Sequence, residues 1–201
     1  MKILLINGPP RSGKDALGIE VCRRVFRAAN GWHAQRRKFA TALKEMTHRL
    51  YDILHDDEYE GHVGQDAYED SKDQPSSDFR GITPRQAYIG VSELLMKKLH
   101  GPRVFGEILR DNLKHHKTNK VLAAITDSGF PEEAQVMVEE FGRENVYLLH
   151  IHREGATFSG DSRGYVDLDL PMENKLRIKN DGTLDDLAAD AEEVLRTIGV
   201  L

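Results

Sequence analysis

Long apolar runs are missing from this 201-residue chain. The first, Ile3-Leu4-Leu5-Ile6, stops at Asn7-Gly8, too short for the core of a signal peptide, and none is expected. Nothing approaches the roughly 20 apolar residues of a membrane-spanning helix, so no membrane partner is expected either. Cysteine is nearly missing. Cys22 is the single one and cannot close an internal disulfide; it reads as a small core residue and suits a reducing cytoplasm. A basic excess is lacking as well, with 28 Lys and Arg against 33 Asp and Glu and a net charge of −5. General nucleic-acid binding needs a basic face and is disfavoured. An anionic ligand must therefore be met by a few placed cations. The remaining composition, 39% hydrophobic and 30% charged, is that of an ordinary globular domain long enough to bury a core.

The stretch that organises the rest is Gly8–Asp15, G-P-P-R-S-G-K-D. It follows the apolar run and opens a helical pattern, the context a phosphate-binding loop requires. Gly8 and Gly13 allow the backbone to wrap a polyphosphate with its N–H groups turned inward. Arg11 and Ser12 lie inside the loop. Lys14 reaches for the outer phosphates, and the following helix points its positive end at the same anion. Asp15 stands where Ser or Thr would offer a hydroxyl to Mg²⁺. It either holds the metal or favours the helix end.

Strands and helices alternate along the chain. Lys2–Ile6, His33–Ala40, Val121–Thr126, Val146–Ile151 and Leu176–Lys179 read as strands, the second weakened by Arg36, Arg37 and Lys38. Helices are expected over Gly13–Ala29, with Phe26 on its apolar stripe, and over Ala42–Leu54, with Leu50 on its apolar face. A further helix should start at Thr83-Pro84-Arg85-Gln86 and run inward through Tyr88, Val91, Leu94 and Leu95. Others follow at Val104–Leu113, after Pro131, and at Leu184–Ile198. The pattern predicts a single α/β domain, a P-loop NTPase three-layer sandwich around a mostly parallel five-stranded sheet. To it belong a helical substrate-binding region at about 41–118 and a lid at about 153–172. Between 52 and 79, ten acidic residues face one lysine, a net charge of −9 that leaves +4 elsewhere. Without hydrophobic period this reads as a solvated loop, in preference to a metal site at His55 and His62.

The loop ending in Lys14-Asp15, Phe39-Ala40 with Leu43-Lys44, Thr83-Pro84-Arg85, Asp127 with Phe130 and Glu133, and the tail Asn180-Asp181-Gly182-Thr183-Leu184 resemble the phage-type deoxynucleoside monophosphate kinases. The resemblance spans most of the chain outside 52–79. It implies transfer of the γ-phosphoryl of ATP to a deoxynucleoside 5′-monophosphate, with Mg²⁺, in a cytoplasm, that of the host if the chain is phage-encoded. A Lys-Asp ending also occurs in some phosphomevalonate kinases, so another phosphorylated metabolite is an alternative acceptor, and a non-catalytic nucleotide-binding protein is a third reading. Where an arginine is expected shortly after Asp127, Ser128-Gly129 stand. Arg153 and Arg163 fall where such kinases carry lid arginines. The oligomeric state is open, a homodimer included.

Phosphoryl transfer needs positioning and cations more than acid–base groups. Lys14, Arg153 and Arg163 are the candidate catalytic cations. Gly8, Arg11, Ser12, Gly13, Lys14 and Asp15 would hold ATP, and Arg85, Asp127, Tyr88 and Phe130 the acceptor. Asp15 and Asp127 are the candidate metal ligands. Asp127 otherwise ends a strand or caps a helix, Arg153 and Arg163 are otherwise surface cations, and Tyr88 and Phe130 are otherwise core.

Overall fold

The computed structural model describes residues 1–53, 68–115 and 120–201. Five strands form one sheet: β1 Lys2–Asn7, β2 His33–Arg37, β3 Val121–Ile125, β4 Val146–His152 and β5 Lys175–Lys179. Their order is β2-β3-β1-β4-β5, and every pairing is parallel. The short apolar runs explain this, because a parallel strand covered on both faces has no polar side to show. Ile3, Leu4, Leu5 and Ile6 are all fully buried.

Side chains alternate between two cores. Leu4, Ile6, Leu122, Ala124 and Leu149 pack against helix α1 (Lys14–Ala28) and the last helix, α7 (Leu184–Thr197). Ile3, Leu5, Ala123, Ile125 and Leu148 face α5 (Val104–Lys114) and α6 (Pro131–Phe141). Between β2 and β3 lie α2 (Ala40–Leu50) and α3 (Pro84–Ile89), the latter continued by a π-helical stretch, Gly90–Met96, and a last turn, α4 (Lys97–His100). The chain leaves β1 toward β3 on one side and reaches β4 on the other. A crevice therefore opens at the carboxyl end of β1, where ligands bind in such sheets.

Capping chemistry sets two helix starts as expected. Thr83 accepts from Gln86 N at 3.1 Å while Gln86 Oε1 accepts from Thr83 N at 2.9 Å. Thr183 and Asp186 form the same reciprocal box at α7.

Several expectations are corrected. Phe26 is 86% exposed, because the stripe of α1 that meets the sheet runs through Leu17, Val21 and Val25. Leu94 and Leu95 are 76% and 39% exposed: the i→i+5 bonding of Gly90–Met96 rotates them off the α-helical face that sequence spacing predicts. Leu50, in the last turn of α2, is also exposed. The acidic stretch is not solvated throughout. Phe79 is fully buried, with ring centroids of Tyr51, Tyr68, His48 and Tyr88 at 5.2, 5.0, 5.9 and 5.9 Å. Glu69 is clasped by Lys44 at 3.2 Å and Lys72 at 3.1 Å. The pair His55 and His62 lies outside the described residues. Of the expected lid, Val166, Leu168 and Leu170 are buried in the core. Their alternation with the exposed Asp167 and Asp169 is a buried-edge pattern, so 166–170 belong to the core. No described helix is long and apolar enough to cross a membrane.

Candidate functional site

The loop after β1 turns through two left-handed residues, Arg11 with φ of 63° and Gly13 with φ of 96°. Ser12 N donates to Pro9 O at 3.2 Å, and Leu17 N donates to Gly13 O at 2.9 Å, which starts α1. Space as well as dihedral demands glycine here. A Cβ on Gly8 would fall 2.5 Å from Ile151 O, and one on Gly13 would fall 2.3 Å from Asn180 Nδ2. Asn180 braces the loop by donating to Ser12 O at 2.8 Å, and is itself held through its N–H on His152 O at 2.7 Å. The tail turn thus supports the phosphate loop. Ser12 is fully buried and its Oγ has no protein partner. A buried hydroxyl left in this way costs free energy until a ligand meets it.

Lys14 Nζ donates to Pro9 O at 2.6 Å. Burial is the main force pulling its pKa down to about 8; Arg163 adds to this, while Asp15, Asp127 and Asp161 act against it. Those charges surround the lysine. Asp15 is held through one oxygen: Oδ1 takes Thr126 Oγ1 at 2.7 Å, Arg36 Nη1 at 2.9 Å and Lys38 Nζ at 3.2 Å. Sequence reasoning missed Arg36 and Lys38 by treating them as interruptions of β2. Their spacing of two was the signal, since it places both on one face of the strand's end.

Asp127 receives Phe39 N–H on Oδ1 at 2.8 Å and Ala40 N–H on Oδ2 at 2.9 Å, so its carboxylate holds the start of α2. Burial pushes its carboxyl upward, against the pull of those two amides, Lys38 and Arg163. Arg163 grips Asp161 twice, Nε to Oδ1 at 2.8 Å and Nη2 to Oδ2 at 2.6 Å. This grip is the chief reason the Asp161 carboxyl is held at about 2, with Arg85 contributing. Arg85 is paired to Asp73, Nε at 2.5 Å and Nη2 at 3.2 Å, and Arg11 also acts on Asp73. Arg163 thus acts on Lys14, Arg85 on Asp161 and Arg11 on Asp73, so these cations lie within electrostatic reach of carboxylates around the loop. Arg153 is elsewhere, exposed beyond β4 with Asp181 beside it.

Tyr88 lies in the aromatic cluster with its hydroxyl on His48 Nε2 at 2.7 Å. Phe130 precedes α6, with Lys97 Nζ 4.3 Å from its ring centroid. Glu133, in the first turn of α6, is 3% exposed and pushed up to about 8 by burial, with repulsion from Asp127 next. Nothing local in the sequence marks it as buried.

Comparison with protein-family profiles and with curated protein sequences finds no match. Solved structures do match. Kti12 of Chaetomium thermophilum, in complex with ADP-AlF3, aligns over 98% of this chain and 98% of that one, at 10% identity and a TM-score of 0.50. The Mycobacterium tuberculosis APS kinase CysC, in complex with AMPPNP and APS, aligns over 98% and 97% at 12% identity and 0.49. The fold is shared with Kti12: a five-stranded parallel sheet covered by helices on both faces. A sugar kinase from Janibacter sp. HTCC2649 aligns over 100% and 95% at 13% identity and 0.45.

Proposed function

We propose that the chain transfers the γ-phosphoryl group of ATP to a deoxynucleoside 5′-monophosphate. The observation that carries this reading is a chain of cations beside the loop: Arg163 acts on Lys14, and Arg85 on Arg163 and on its partner Asp161. A protein that only holds a nucleotide needs the loop but not a second anion site beside it. The acceptor phosphate is met by Arg85 and the moving phosphoryl by Lys14 and Arg163. Asp127, Tyr88 and Phe130 are assigned to the acceptor side, and Arg153, exposed beyond β4, is given no part in the transfer. The acceptor is already an anionic nucleophile near neutral pH, so positioning and charge are the catalytic needs.

The loop suits ATP: two glycines whose Cβ space is taken, a buried hydroxyl without a partner, and a half-buried lysine. Among the described residues no group of three or more His, Cys, Asp or Glu is placed to hold a metal ion. That fits Mg²⁺, which keeps its waters and takes one or two carboxylates plus substrate phosphates. Asp15, through Oδ2, and Asp127 are the groups that would serve it, and the ion would neutralise phosphate charge. The proposed setting is deoxynucleotide supply in a cytoplasm.

The test is ADP release in a coupled assay over deoxynucleoside monophosphates, ribonucleoside monophosphates and phosphomevalonate. Turnover with one or more deoxynucleoside monophosphates, lost in a folded Lys14→Ala variant, is expected. Turnover with phosphomevalonate alone, or with no acceptor at all, would overturn the reading.

A further inference from the structure

Gly129 follows β3, is buried, and lies against Arg163 of the segment that crosses from β4 to β5. A Cβ built on it would lie 2.6 Å from Arg163 Cδ, 2.7 Å from Cγ and 2.8 Å from Cβ. These are atoms of the arginine's stem, not of its mobile head, so no small rotation relieves the contact. The backbone around this seat is fixed by one side chain. Asn7, buried at the end of β1, donates through Nδ2 to Ser128 O at 2.5 Å and to Gly164 O at 3.0 Å. Its Oδ1 accepts from Val166 N at 2.9 Å. Ser128 is buried too, its hydroxyl on Ile125 O at 3.2 Å. Residues 129 and 163 are thus held at a set separation by neighbours on both sides. The far end of Arg163 is gripped by Asp161.

We propose that Gly129 is a positioning residue for phosphoryl transfer: its missing side chain gives the Arg163 stem its seat, and the seat fixes the guanidinium beside Lys14. The proposal rests on the transfer reading above and names a determinant of that site. A free arginine samples many rotamers, which blurs where its charge sits. Stabilisation of a spreading negative charge requires donors already aimed, and a misplacement of about 1 Å is costly. Seat and grip together leave the head one location. The seat comes from the sheet and the grip from the crossing segment, so the cation is positioned by the rigid layer and not by the loop alone.

The test is a double-mutant cycle. Gly129→Ala is expected to lower kcat about tenfold or more while leaving the KM for ATP within about twofold. It should also lower Tm. Arg163→Ala should lower kcat comparably. The double variant should be no slower than Arg163→Ala and should regain the lost Tm, because the stem that the new Cβ strikes is gone. Penalties in kcat and Tm that simply add, or a Gly129→Ala enzyme with wild-type turnover, would overturn the proposal. The Arg163 Nε–H resonance, assigned by its loss in Arg163→Lys, reads the seat without activity. It should lose exchange protection in Gly129→Ala, and an unchanged signal overturns the seat. A wild-type protein inert toward every phosphorylated acceptor sinks the transfer reading and the catalytic half of this assignment, while the Tm cycle and the resonance still decide whether Gly129 seats Arg163.

Discussion

Thr126 Oγ1 donates to Asp15 Oδ1 over 2.7 Å, so the carboxylate in the phosphate loop is tied to the end of β3. Arg36 and Lys38 add two positive charges to the same oxygen. A carboxylate close to phosphates is repulsive by roughly 4 kcal/mol for unit charges about 4 Å apart at an effective dielectric near 20. Two flanking cations offset much of that, which makes Asp15 tolerable in a loop built for anions.

Asp15→Asn keeps this geometry and drops the charge. With one negative charge fewer beside the phosphates, metal-free nucleotide should bind as well as before or better. The Mg²⁺ concentration for half-maximal rate should rise about tenfold or more if Asp15 also serves the metal. A Mg²⁺ titration of the variant decides. A half-maximal concentration that does not move would reject the metal role and leave Asp15 a tie between loop, β2 and β3.

Arg85→Ala tests the acceptor side. Arg85 sits at the start of α3, where a cation opposes the helix dipole unless an anion joins it, and Asp73 now fills that place. Loss of a charge-assisted contact to the acceptor phosphate should raise the acceptor KM about tenfold or more, with the ATP KM little changed. Equal increases in both constants would place Arg85 outside the acceptor site.

The sheet, the loop and most helices were legible because their causes are local. Ile3–Ile6 and Val121–Ile125 are apolar throughout, Gly8 and Gly13 mark the loop, and Thr83 and Thr183 write their own capping boxes. What was not legible depends on contacts between distant residues. Arg36 reads as a surface charge until Asp15, 21 positions away, is found against it. Asp127 reads as a metal ligand or a strand end, and nothing local shows that Phe39 and Ala40, 88 and 87 positions away, donate their amides to it. Arg163 was named from its position, but not that Asp161 grips it or that Gly129 seats it. Phe79 was hidden by composition, since the charges around it suggested solvent.

Phe79→Ala therefore separates the composition of the acidic stretch from its packing. The ring is fully buried among four others. Truncation of a buried phenylalanine costs about 3–5 kcal/mol. Urea denaturation should show a midpoint lowered accordingly, whereas a solvated loop would give a loss near zero.

Glu133 gives the chain a pH dependence whose sign is fixed. Its carboxyl, ordinarily near 4.5, is pushed up to about 8 in the folded protein, by burial first and by Asp127 next. Between those two values the folded protein keeps a proton that the unfolded chain has released. Stability must then fall as pH rises, with a slope approaching about 1.4 kcal/mol per pH unit for one proton, and level off above about pH 8. Asp127, also raised by burial, acts in the same sense. Asp161, held at about 2 by Arg163, contributes stability that is lost only as pH falls below the ordinary aspartate range, outside this window. Glu133→Gln removes the titrating group at nearly constant volume. Its unfolding free energy should match that of the wild type near pH 5 and exceed it at pH 8, with a flatter slope between. Urea midpoints at pH 5, 6.5 and 8 for both proteins make the comparison. Parallel curves would show that Glu133 ionises as freely in the folded protein as in the unfolded chain, and that its burial beside Asp127 carries no energetic penalty.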